Sequence, residues 1–96
     1  MRGDAMKSRK QEPKSNPHLQ AAFLEVVENQ LRDNNPPETK QTLDRLVAEG
    51  HSPEDAKLLI AQAVAVEVYT VLKRQVAFNP ERFVRNLRAL PEEPKE

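Results

Sequence analysis

The chain has 96 residues, no cysteine, and basic and acidic side chains in equal number, fifteen of each. This length allows one domain, and the missing thiol excludes disulfides, thiol nucleophiles, iron–sulfur clusters and cysteine-based zinc sites. The zero net charge hides a gradient: residues 1–15 carry five basic and two acidic side chains, residues 16–67 four and nine, and residues 68–90 five and one, so one end of the fold is expected to be acidic and the other basic.

Residues 1–15 read as a disordered basic tail, polar and without a period. No apolar stretch follows those basic residues, so they do not read as a signal peptide. The longest apolar run, from Leu58 to Leu72, is interrupted by Gln62, Glu67 and Thr70 and falls short of the about 20 apolar residues a bilayer demands. The expectation is a cytoplasmic protein with no membrane contact.

Asn16-Pro17 reads as a helix start, with asparagine as cap and proline in the first helical position. Leu19, Ala22, Phe23, Val26, Val27 and Leu31 follow at the spacing of an amphipathic helix, which should end near Asp33. In Asn35-Pro36-Pro37 each residue before a proline is pushed out of the helical region. The stretch therefore reads as a rigid corner, with Pro37 opening a second helix whose apolar stripe is Thr39, Leu43, Leu46 and Val47. Gly50 suits the left-handed position that closes it. Ser52-Pro53, with Asp55 three residues beyond the cap, opens a third helix that runs to Lys73 or Arg74 and is roughly 30 Å long. Ile60, Val64, Val68 and Val71 share one side of it, and Leu58, Leu59, Val66, Tyr69 and Leu72 fill much of the rest. A helix apolar nearly all round is buried on several sides. Asn79-Pro80 opens a fourth helix, with Phe78 stapled to Phe83, with Phe83, Val84, Leu87 and Leu90 inward, and with Pro91 as its end.

The expected architecture is all-α: a compact four-helix bundle-like domain over residues 16–90 with a long central third helix, followed by an acidic tail, residues 91–96. With few aromatic residues the core is aliphatic and small. Stability should lie near the low end of about 5–15 kcal/mol or be supplemented by self-association.

Chemistry-bearing residues are sparse. His18 and His51 stand singly at helix starts, and no H-x-x-x-H or E-x-x-H spacing joins them. No metal ligand and no cofactor is nominated. Glu67 falls on the apolar side of the third helix and Gln30 on the inward stripe of the first, and a buried carboxylate needs partners. Gln30, Asn29 or an arginine of the fourth helix would serve. With no second group to join it in a cleft, Glu67 reads as a structural polar contact and not as a catalytic acid. Arg82, Arg85 and Arg88, with Lys73 and Arg74 nearby, form a basic surface for an acidic partner or a polyanion. The stretch from Arg45 to Ile60 has the outline of a helix-turn-helix, and also of a ubiquitin-associated-type corner. Glu54 and Asp55 at the start of its second helix carry the wrong sign for DNA, so nucleic acid is not the expected partner.

Several short pieces carry a wider likeness: N-P-x-L at residues 16–19, V-E-N-Q at 27–30, P-P-E-T at 36–39 with L-x-R-L at 43–46, E-G at 49–50, and F-x-x-E-R-F from Phe78, with Leu87 four residues beyond Phe83. On these pieces the chain resembles a family of small uncharacterised bacterial proteins, a domain of unknown function. Typical members carry H-x-x-x-H on the first helix and H-E-A-x-H on the third, a set that looks like a metal site. Here the histidine positions hold Gln20, Leu24, Glu54 and Leu58, so that site would be incomplete. The resemblance also marks Glu28, Gln30 and Glu67 as polar positions shared with the group.

Taken together, these features lead to the expectation of a non-enzymatic helical protein that works through protein contacts and self-associates. The alternatives are a helical bundle retaining part of a metal or enzymatic site, and a polyanion-binding module built on the fourth helix.

Overall fold

The computed structural model describes residues 17–96, and the readings of residues 1–15 and of Asn16 as a cap fall outside it. The described residues form four helices and no strand: α1 (Pro17–Asp33), α2 (Pro37–Ala48), α3 (Pro53–Arg74) and α4 (Pro80–Ala89). Each begins with proline, whose fixed φ suits a first helical position and whose missing N–H is no loss there.

The turns follow from local hydrogen bonding. After α1, Asn34 adopts φ +50°. Its N–H reaches the Leu31 carbonyl at 3.3 Å, while the Asn35 N–H reaches Gln30 at 3.0 Å. This paired closure satisfies two end carbonyls and needs a left-handed residue, a conformation asparagine tolerates. Gly50 closes α2 in the same way at φ +110°, with bonds from Gly50 N–H to Val47 and from His51 N–H to Leu46, both 3.0 Å. The Ser52 hydroxyl accepts the Asp55 N–H at 3.1 Å, and the Asn79 side-chain oxygen accepts the Arg82 N–H at 3.0 Å. Ser52→Ala should lower the unfolding free energy by about 1 kcal/mol, and Ser52→Gly by only a few tenths, a difference that denaturant titration resolves.

As the longest helix, α3 is also the central one: it packs against α1, α2 and α4, and α2 touches α1 and α4 as well. The core joins Val27 of α1, Leu46 of α2, Ala56, Ile60, Ala61, Ala63 and Val64 of α3, and Phe83, Leu87 and Leu90 at the C-terminal end, with Phe23, Leu24, Leu31, Leu43 and Leu59 against it. Small residues on α3 let its neighbours approach closely.

Two stripes differ from expectation. On α2, Thr39 and Leu46 are buried as expected, but Thr42 is buried too and Val47 is exposed. Thr39 can be buried because its hydroxyl donates to Gln30 Oε1 of α1 at 2.8 Å. On α3, Val68, Tyr69 and Leu72 are exposed, Leu72 at 71%. The reason is length. α1 runs antiparallel to α3, with Glu28 beside Lys57 at 2.9 Å and with Gln20 and Phe23 bordering a small void lined by Leu58, Ala61, Gln62 and Ala65. With 17 residues against 22, α1 leaves the last turns of α3 uncovered.

The stretch 91–96, expected as a tail outside the domain, folds back onto it. Pro94 is buried, Asn86 exchanges two hydrogen bonds with the Lys95 main chain, and Glu96 reaches Lys73 and Arg74 at the end of α3.

Candidate functional site

The most constrained polar group is Glu67, 1% exposed in the middle of α3. Its Oε1 accepts Arg82 Nε at 2.8 Å. Its Oε2 accepts Arg82 Nη2 at 2.6 Å and the Asn79 N–H at 2.9 Å. Burial opposes ionisation of this carboxyl, but the paired guanidinium bonds, the Asn79 amide and the arginine's charge outweigh burial and hold it below the usual carboxylate range. In return, the bonds to Glu67 raise Arg82 against the opposing effect of burial. Both oxygens are engaged and the charge is fixed, so the pair neither delivers nor takes a proton near neutrality. It is a clamp that fastens the start of α4, where Asn79 caps the helix, to the middle of α3.

Arg82 supplies the partner that Glu67 required, and is thereby removed from the basic surface proposed for it; its side chain is only 16% exposed. Gln30 and Asn29 do not serve Glu67: Gln30 bonds Thr39, and Asn29 Oδ1 accepts from Arg32 at 3.1 Å. Glu28 is an exposed partner of Lys57, so it makes no buried polar contact. Glu28, Gln30 and Glu67 thus lie in three separate arrangements and form no common site.

The remaining cations also divide. Lys73 and Arg74 meet Glu96 at 3.5 and 3.4 Å, and Lys73 lies 5.6 Å from the Tyr69 ring centre. Arg85 and Arg88 line an open cleft of about 730 Å³ between α4 and the α1–α2 corner, together with Glu38, Glu81, Phe78 and Val84. The two acidic residues offset the two arginines there. Among the described residues no three His, Cys, Asp or Glu side chains converge as metal ligands, and no helix is long and apolar enough to cross a membrane.

Sequence reasoning passed over three features. Arg45 reaches from α2 to the Leu87 carbonyl at 3.1 Å and the Arg88 carbonyl at 3.4 Å, a long-range capping contact with no local signal. The uncovered end of α3 depends on where α1 starts. Asn86, however, was detectable, because it follows Phe83 by three residues and precedes Leu87 and Leu90 on the inward side of α4. A buried amide there demands a partner, and the returning strap provides it.

Comparisons with protein-family models, with curated proteins and with solved structures find no match.

Proposed function

We propose that the chain is a non-enzymatic helical module that acts through protein contacts and pairs with a second copy of itself through the end of α3. The observation that carries this reading is the uncovered apolar face there, Val68, Tyr69 and Leu72, all exposed. Such side chains placed together on a small domain mark a contact surface. Fully burying one of them contributes about 1.5–3 kcal/mol, and a two-fold contact buries each of them twice over. The one buried carboxylate among the described residues is committed to the α3–α4 clamp, which speaks against an acid–base role for it.

A polyanion surface is less well supported. Arg82 is withdrawn into the fold, Lys73 and Arg74 already meet an acidic side chain, and Arg85 and Arg88 share their cleft with Glu38 and Glu81.

Sedimentation equilibrium tests the proposal. The native chain should show a mass that doubles with concentration across the micromolar range. The Tyr69→Glu/Leu72→Glu chain should remain at the monomer mass with its helical circular dichroism unchanged, since both sites are on the surface. A native chain that stays monomeric throughout would remove the proposal.

A further inference from the structure

The way the C-terminal strap is held resembles recognition of a ligand. Asn86 of α4 is 5% exposed. Its Nδ2 donates to the Lys95 carbonyl at 2.7 Å, and its Oδ1 accepts the Lys95 N–H at 3.0 Å. These are the two bonds that a neighbouring strand would make, so Asn86 reads main chain and is indifferent to the side chain at position 95, which points to solvent as an exposed lysine. On one side of this contact Pro94 is buried. On the other, the Glu96 carboxylate lies between Lys73 Nζ at 3.5 Å and Arg74 Nη2 at 3.4 Å. The slot therefore selects three things in order: a proline, an extended residue of any kind, and an acid.

The strap is lightly fastened. Lys73 and Arg74 keep 53% and 57% of their side-chain surface in water, and exposed ion pairs at such distances contribute little. Pro91, Glu92 and Glu93, which join the strap to Leu90, are exposed. A terminal segment whose ion pairs are solvated and whose connection to Leu90 is exposed opens at lower cost than the core. Once open, the slot presents an amide whose two bonding groups have lost their main-chain partner, and two cations released from Glu96.

We propose that this slot between α4 and the end of α3 is a peptide-recognition site. Its ligand is an extended Pro-x-acidic segment of a partner protein, and the chain's own residues 94–96 occupy it until that segment displaces them. The strap shows the chemistry of the ligand directly. It also sets a threshold, because a partner sees only the fraction of molecules whose strap is open.

The test uses the full chain and a fluorescent peptide with the sequence of residues 92–96, followed by anisotropy. The native chain should bind the peptide weakly. A chain carrying Pro94→Gly and Glu96→Lys, whose strap no longer fits, should bind it about tenfold tighter or more. Adding Asn86→Leu to that chain should abolish the gain. Adding Lys73→Gln and Arg74→Gln, surface changes that leave the core intact, should reduce it by a smaller factor, and raised salt should weaken it. Equal binding by the native and strap-altered chains would overturn the proposal, as would a gain that survives Asn86→Leu. A concentration-dependent doubling of mass that the native chain shows and Asn86→Leu alone removes would assign the slot to the strap of a second copy, and would overturn the partner assignment too.

Discussion

Replacing Arg82 with methionine is expected to reverse the sign of Glu67's contribution to the acid limb of the stability profile. In the native chain the Glu67 carboxyl is held below its usual range, so the folded state binds its proton less readily than the unfolded state does. The stabilisation this gives is complete above the ordinary glutamate range, about pH 4.3, and is lost as pH falls through the lower folded-state value. Without the guanidinium, burial is opposed by the Asn79 N–H alone. The carboxyl then titrates above its ordinary value, and protonation favours the folded state. Stranding a buried carboxylate costs about 3–5 kcal/mol, and neutralising it recovers part of that. Urea unfolding between about pH 3 and pH 7 should therefore show the variant gaining stability, relative to the native chain, as acid is added. A variant whose loss is the same at every pH would mean that Glu67 escapes to water and that the clamp is not electrostatic. Glu67→Leu/Arg82→Met removes both charges but leaves the Asn79 N–H without its acceptor, so that chain should lie between the two, still short of native by about 1–3 kcal/mol.

Phe83→Ala should cost about 3–5 kcal/mol, the larger share of what a domain of this size has to lose. Phe83 is 2% exposed and belongs to the central core cluster, with Phe78 at 6.0 Å between ring centres. The ring belongs to a helix of only 10 residues, too short to persist without its contacts, so a cavity there both loses burial and loosens the helix. Phe83→Leu keeps most of the volume and should cost under about 1.5 kcal/mol. Thermal unfolding separates the two, since each kcal/mol shifts the midpoint by about 4–8 °C in a domain of this size. If alanine and leucine came out alike, the ring would not be part of the core.

Much of this fold is written in local chemistry. Proline at each helix start, Ser52 and Asn79 as caps, and Gly50 after α2 act within a few residues, so the boundaries of α2, α3 and α4 follow from them. The interior of α3 is equally legible, since Ile60 and Val64 are apolar and buried. What escaped was whatever depends on a distant element. Val47 and Thr42 compete for the inward face of α2, and the outcome turns on whether a threonine can be satisfied and on where the neighbours lie. Val68, Tyr69 and Leu72 belong to an apolar run, but whether they are covered is decided by the length of α1. The candidate sites divide along the same line. The need of Glu67 for a partner was visible in its position, and its choice of Arg82 over Gln30 was set by the packing of α4. The strap on Asn86 required knowing that residues 91–96 turn back.

The fastening of α4 has a consequence for the surfaces the molecule offers. Its start is fixed by Glu67 of α3, its end by Arg45 of α2, and its inner face by the returning strap. A helix this short depends on its anchors to α2 and α3 to hold its shape. α4 therefore stays in place only while α2 and α3 are docked against each other. Both the cleft beside Arg85 and the slot around Asn86 exist only while α4 is docked, so a substitution that loosens α4 removes both surfaces at once.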